Sequence, residues 1–551
     1  LVALPSVSIL EQVKRRCNAH SAKPFCISRV GGGEVRLDYA ALWSGASAVA
    51  EQLRARGCLP ADVVLIFETQ RPEAYLSFLG AMMIGAIPSF MPYPNIKQNQ
   101  DLYWSGHEVL LKRIEPRLLL VHPAIADLFR ERLTGFADRV VPAQWDLAAA
   151  DPQGLDPTAL VVSDPAFLQH SSGTTSLKKG VMLSHAGVLA HTQSYRQAIG
   201  FGPDDIIASW LPLYHDMGLI ACFMLPVITG ATVVNLDPFE WVGNPLSLLR
   251  VIQEHRATYC WLPNFAFNHL AKAIRSHVFD LSSIRAFLNC SEPCRADSFD
   301  LFQSRLQGSG VTAEMLQVCY AMAENTFAVT QTELERPVMR LQVDRQAFEE
   351  RGVAVPGEGP VLLSCGTVVR GCGVRIVDQA RQDLAAGHIG EVAISSDFLF
   401  EGYYRLSELS ARKLEAGWYY SGDIGFLHCG ELFITGRTDD LISVYGRNYY
   451  AHEVEALASA VEGVVPGRCV AFAVTNAAAG TNQVVLVAES RGPADQHTAL
   501  RRALATAVAD GCGLALHRVQ IVAPGWLIKT TSGKISREKN RERFIHDKDL
   551  A

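Results

Sequence analysis

No basic cluster interrupts this sequence. Its formal net charge is −6, and only 19% of its residues are charged. A nucleic-acid module is therefore not expected, since such modules present clustered Lys and Arg. No apolar run approaches the ~20 residues that a membrane-crossing helix needs; stretches such as 220–228 are far shorter. The opening LVALPSVSILEQVK has no basic start and no small-residue cleavage site, so a secretory signal is not expected and the expected location is cytoplasmic. Thirteen cysteines are scattered without a zinc pattern: Cys290 and Cys294 stand close together, but no second pair completes a site. Reduced, buried thiols are the expectation. Internal repeats and low-complexity tracts are missing as well. What remains is a chain of 551 residues, nearly half of them apolar, long enough for three or more packing units.

Residues 168–185, LQHSSGTTSLKKGVMLSH, organise the rest. An apolar run from Pro165 to Leu168 reads as the end of a strand. After Ser184, Val188, Leu189, Thr192 and Tyr195 recur at helix spacing, with Ser184 as N-cap. Strand, hydroxyl-rich loop and helix is how a backbone builds an anion site. Gly173 lets N–H groups converge, Ser171, Ser172, Thr174 and Thr175 supply hydroxyl donors, and Lys178 and Lys179 supply charge. A Walker loop is excluded, because no Gly-Lys-Ser/Thr follows at the required spacing.

Helix and strand patterns alternate from residue 9 to about 335, as in parallel sheets covered by helices. A helix is expected over 38–56, a buried strand over 63–67 and a helix over 72–84. From about 355 to 435, short β-rich runs (374–377, 391–394, 432–435) are broken by glycines, as in a small barrel or twisted sheet. A last α/β unit, with strands at 469–474 and 483–489, runs from about 440 to 545.

Further motifs follow in order. His215 and Asp216 lie in SWLPLYHDMGL, where the pair reads equally as a general base or as a bonded loop pair. NCSEP (289–293) and YAMAEN (320–325) are placed to end two strands, where ligands of such sheets bind. WYYSGD ends at Asp423, GRTDDLISVYGR spans 436–447, and IKTTSGKISR holds Lys534.

This ordered set resembles the adenylate-forming superfamily: acyl-CoA synthetases, luciferases, peptide-synthetase adenylation domains and fatty acyl-AMP ligases. Lys178 stands where their phosphate loop usually has proline. The resemblance implies an α/β fold with a large N-terminal domain of sheet subdomains and a small β-barrel-like subdomain (1–436). It also implies a small mobile α+β C-terminal domain (437–551). It implies ATP and Mg²⁺, with Glu324 and Thr174 as metal ligands. Ser171, Ser172, Gly173, Thr174, Thr175 and Lys179 would hold phosphates, while Ser291, Glu292, Pro293, Tyr320 and Ala321 would hold the purine. Asp423 would hold the ribose, Arg437 would reach the ribose or phosphate, and Asp439 would be the hinge. His215 would lie beside the reacting carboxylate and Lys534 would be the catalytic cation.

LYHDMGL is closest to fatty acyl-AMP ligases. So is the extra stretch at about 341–363, resembling the insertion that hinders their CoA-using arrangement, and so is GRNYY at 446–450. The expected reaction makes acyl-AMP from a carboxylic, medium or long fatty acid, then passes it to the phosphopantetheine thiol of an acyl carrier protein. CoA as acceptor, an aryl or polyketide starter acid, and an inactive nucleotide-binding scaffold are the rivals. Residues 220–228 and 259–270 are expected to line the acid pocket.

Overall fold

The computed structural model describes residues 6–30, 33–94, 100–149, 160–161, 163–170, 178–444, 447–476, 481–529 and 534–547. The expected phosphate-loop residues Ser171, Ser172, Gly173, Thr174 and Thr175 lie outside them.

The mixed α/β architecture is as read. A nine-stranded sheet runs in the order Thr367–Val368, Ala328–Gln331, Leu316–Ala321, Ala286–Asn289, Tyr259–Leu262, Ile206–Ser209, Thr232–Asn235, Pro24–Val30 and Gly33–Asp38. Its interior pairings are parallel, so both faces need covering and the inner strands are buried, mostly apolar segments. A second, parallel sheet orders Ile87–Phe90, Val63–Phe67, Leu118–Val121 and Val140–Pro142. Every residue of Val63–Phe67 is buried.

Helix boundaries follow capping chemistry. Asp38 accepts from Ala41 N–H and starts Tyr39–Ala55; Pro72 occupies the first turn of Pro72–Met83, where its missing N–H costs nothing. Ser184 caps His185–Ala198 by accepting from Gly187 N–H. One local expectation needs correcting. Residues 180–184 are not part of a loop running into that helix: Gly180–Ser184 is a strand, antiparallel to Pro165–His170. Short apolar runs such as VML fit either class, and cross-strand pairing decides this one.

The small glycine-broken unit is antiparallel: Cys372–Val377, Gly390–Ser396 and Trp418–His428 in order, with Leu414–Glu415 and Glu431–Arg437 both pairing with Trp418–His428. Its strands form no closed ring among the described residues. The extra stretch folds as a hairpin, Arg340–Val343 with Pro356–Leu363, enclosing the helix Arg345–Arg351. The C-terminal unit has the hairpin Leu441–Val444/Arg447–Tyr450 and the sheet Val464–Asn476, Thr481–Ser490, Arg518–Val522. The helices Ala451–Ser459, His497–Cys512 and Arg537–His546 complete it. Among the described residues, no helix is long and apolar enough to cross a membrane.

The main core packs rings edge to face: Phe223 meets Tyr75 at 4.8 Å and Phe78 at 5.5 Å. Residues 220–228 are buried in it. Tyr195, 1% exposed, accepts from Trp261 Nε1 (3.1 Å) and donates to Gln331 Oε1 (3.1 Å). Tyr195→Phe removes both bonds and leaves two buried partners unsatisfied. The expected loss is about 2–4 kcal/mol, read as a shifted denaturant midpoint for the N-terminal transition with activity of the folded fraction retained.

Candidate active site

Four sheet strands end at one place. Ile206–Ser209 leads into Trp210–Asp216, Ala286–Asn289 into Cys290–Pro293, and Leu316–Ala321 into Met322–Asn325; the hairpin strand Pro165–His170 brings Gln169 and His170. With residues of the small sheet and the C-terminal unit these segments line a cleft of about 1440 Å³. His215, Ser291, Glu292, Ala321, Glu324, Lys179, Asp423, Arg437, Asp439 and Lys534 all line it. Tyr320 touches it through Asp423. Pro293 is on the same turn but not on the wall.

The Asp423 carboxylate holds two partners. Tyr320 Oη donates to Oδ2 (2.6 Å) and Arg437 Nε to Oδ1 (2.7 Å). Asp423 itself is 5% exposed and is aligned by Ser421, whose Oγ accepts from Asp423 N–H (3.0 Å). Beside it, Glu391 Oε1 accepts from Gly422 N–H (2.8 Å). Across the cleft, Tyr403 Oη donates to Glu324 Oε1 (2.8 Å) and lies 3.3 Å from Tyr419 Oη. The Lys179 ammonium sits 5.4 Å over the Tyr403 ring. Burial holds Lys179 below its usual range, and Glu324 opposes that shift. Tyr403, Tyr419, Glu391 and Lys413 are cleft residues that motif reading missed; Gly-Tyr-Tyr at 402–404 was the available signal.

Ser291 takes a left-handed conformation, φ +70°. Non-glycine residues rarely do so away from turns and sites. Its carbonyl accepts from Lys534 Nζ at 2.8 Å, a bond across 243 positions of sequence. Glu292 Oε2 accepts from Phe265 N–H (3.0 Å).

Asp216 Oδ1 accepts from Met217 N–H (2.8 Å) and opens the π-helix Met217–Met224. Single π turns recur at functional sites. Gly218 is needed here: a Cβ would stand 2.1 Å from the Pro212 carbonyl oxygen. Burial, then Lys534 and Lys178, push the His215 imidazole down to about 3, so His215 is neutral at physiological pH. The even reading of His215–Asp216 thus resolves away from a pair: Asp216 is engaged as a cap. Lys178, in the position usual for proline, is pushed down to about 7 by burial. Of the two expected acid-lining stretches, 259–270 brings Pro263 and Phe265 to the cleft, with Trp210 and Val242, whereas 220–228 is core and reaches no cleft wall.

Glu324 offers one carboxylate, fixed by Tyr403. No cluster of three His, Cys, Asp or Glu side chains suited to a metal exists among the described residues. A single fixed carboxylate is a hard oxygen ligand of the kind Mg²⁺ takes, together with waters and substrate phosphates.

The fold and this cleft define an adenylate-forming ligase. The chain belongs to the AMP-binding enzyme family, whose model matches residues 13–404. It is 28% identical to a Mycobacterium tuberculosis protein named as a fatty-acid–CoA ligase, fadD25, over 94% of this chain and 93% of that one. It is 29% identical to a 4-hydroxyphenylalkanoate adenylyltransferase of M. tuberculosis, over 88% and 82%. A solved structure from studies of fatty acyl-adenylate ligases of E. coli and L. pneumophila shares the fold, with TM-score 0.87, 24% identity and 98% coverage of both chains. The chain is thus an adenylate-forming enzyme of the AMP-binding family.

Burial also holds His107, His170 and His191 at about 3 and His185 at about 4. An unfolded histidine titrates near ~6.5. Each folded value lies below the unfolded one, so on acidification the unfolded chain binds protons that the folded chain does not. Stability is full above the unfolded value and falls as pH drops from about 6.5 towards 4, by up to ~1.4 kcal/mol per pH unit for each histidine. Denaturant midpoints should therefore decline steeply between pH 7 and pH 5; a flat profile contradicts buried neutral imidazoles.

Proposed function

We propose that the chain activates a fatty acid as acyl-AMP and delivers it to the phosphopantetheine thiol of an acyl carrier protein. Two units do this, 1–436 and 437–551, turning about Asp439. A substrate carboxylate oxygen attacks the α-phosphorus of ATP, the bond to the bridging oxygen breaks, and pyrophosphate leaves. In the second step the thiolate sulfur attacks the acyl carbonyl and AMP leaves.

Lys534 is the catalytic residue of the first step. Its ammonium faces charge that grows on the α-phosphate as the carboxylate attacks. The observation that carries this is the Lys534–Ser291 bond, which sets a C-terminal cation at the strand ends of the large domain. Neutral His215 orients the carboxylate by hydrogen bonding; it has no proton to remove, because the acid is already ionised. Asp423, with Arg437, accepts from the ribose hydroxyls, and Tyr320 and the 291–293 and 321 backbone frame the purine. Lys179, with Ser171, Ser172, Gly173, Thr174 and Thr175, holds the phosphates. Glu324, with Thr174, holds Mg²⁺, which offsets negative charge on the phosphate oxygens when bound.

The acceptor reading is supported by the insertion. Phe348 of Arg345–Arg351 lies 6.4 Å from the Tyr450 ring, in a cluster with Leu341, Val343, Phe426 and Phe433. Tyr450 also packs on Gly436, where a Cβ would lie 2.4 Å from its ring, and meets Thr435 Oγ1 at 2.8 Å. An insertion packed against both units favours the arrangement with Lys534 inside and opposes rotation.

Lys534→Ala is expected to cut acid-dependent pyrophosphate release by about 100–1000-fold with little change in ATP binding, since the cation acts in the transition state; near-normal release excludes the role.

The intact enzyme, offered CoA and a carrier protein together, should acylate the carrier protein. Phe348→Ala should raise acyl-CoA output about tenfold for each ~1.4 kcal/mol lost at the latch, with acyl-AMP formation unchanged. Efficient saturable turnover of the unaltered enzyme with CoA would make it an acyl-CoA synthetase.

A further inference from the structure

A rotation at Asp439 moves Lys534 by a defined amount only if the chain between them is rigid. Asp440, the next residue, and Arg537, three residues past Lys534, are 97 positions apart. The Arg537 guanidinium closes that loop. Its Nη1 donates to Asp440 Oδ1, its Nη2 to Glu455 Oε1 (2.8 Å) and its Nε to the Ala471 carbonyl (2.8 Å). The side chain is 17% exposed. One planar fork therefore ties the first turn of Arg537–His546 to the hinge turn Thr438–Asp440, to the helix Ala451–Ser459 and to the strand Val464–Asn476. Charge-assisted bonds of this kind are directional as well as strong.

The other side of the Lys534 segment is clamped independently. Asn540 is fully buried. Its Nδ2 donates to the Ile528 and Ser536 carbonyls (2.9 and 2.7 Å), and its Oδ1 accepts from Ile528 N–H (2.9 Å). Lys529 and Ile535 are antiparallel bridge partners. Lys534 thus stands on a short segment whose base is fixed by Asn540 and whose direction relative to the hinge is fixed by Arg537.

We propose that Arg537 is a positioning residue for adenylation: it couples the hinge to the closing motif so that Lys534 and the segment beyond Asp439 move as one lever. The inference rests on Lys534 being the adenylating lysine. Glu455 and Asp440 offset the cost of burying the guanidinium, and His452 is the other titratable group that senses it. A displacement of ~1 Å at a reacting group costs about 100-fold in rate, so slack in the lever is visible in kcat.

The test uses the full chain with Arg537→Gln, Arg537→Lys and Asp440→Asn, each alone and combined with Lys534→Ala. Acid-dependent pyrophosphate release and thermal melting are read together. Arg537→Gln should lower kcat by about 30–100-fold with the KM for ATP little changed. Arg537→Lys should fall between, because an ammonium cannot reproduce the fork, and Asp440→Asn should lower kcat in the same direction. In the Lys534→Ala background, Arg537→Gln should add less than about twofold, since both act through one group. An equal fold-loss in both backgrounds makes Arg537 an independent structural residue and overturns the proposal, as does unchanged kcat in Arg537→Gln. If Arg537→Gln does not fold, Asp440→Asn carries the same comparison. If Lys534→Ala itself is fully active, the lysine assignment falls; if it is inactive while both the Arg537 and Asp440 variants retain kcat, only the lever falls.

Discussion

A hydrogen bond joins the C-terminal unit to the large domain at the cleft: Lys534 Nζ donates to the Ser291 carbonyl. It requires a carbonyl turned outward by a residue at φ +70°, a strand that ends there and a C-terminal unit seated over it. An ammonium at a shared edge has the strongest effect where competing water is reduced and acceptors are fixed. The local geometry fixes the acceptor, while Lys534 itself is exposed. Parallel strands deliver their ends to one side, and loops there carry the polar groups.

The second layer of order lies in how the cleft carboxylates Asp423 and Glu324 are held. Asp423 is braced by Tyr320 and Arg437, and Glu324 by Tyr403. A carboxylate fixed by one neighbour still has lone pairs directed at a ligand. Such groups are preorganised, so little rearrangement accompanies binding. The insertion extends the same logic to domains: Phe348, Tyr450 and Gly436 make the seated arrangement the packed one.

Much of this was legible in the sequence because the chemistry restricts residue types at strand ends. Tyr320, Glu324, Asp423 and Arg437 stand in short contiguous motifs; the structure gathers Glu324, Asp423 and Arg437 into one cleft and bonds Tyr320 to Asp423. The helices from Asp38 and Ser184 were legible because caps are local. Three features were not. Gly180–Ser184 pairs with Pro165–His170, but a short apolar run before a helix does not announce a strand. Tyr403 meets Glu324 across 79 positions, and Arg537 meets Asp440 across 97; no period or spacing encodes partners that distant. The phosphate loop, the most telling stretch of sequence, lies outside the described residues, so its reading rests on the motif itself.

The most direct measurement is a structure of the enzyme with a non-hydrolysable acyl-adenylate analogue, an acyl sulfamoyl adenosine. The account expects the ribose hydroxyls on Asp423, the purine beside Tyr320 and Ser291, and the Lys534 ammonium moved from the Ser291 carbonyl to the sulfamoyl oxygens that stand in for the α-phosphate. A nucleoside bound elsewhere, or Lys534 directed into solvent with the analogue in place, would contradict it.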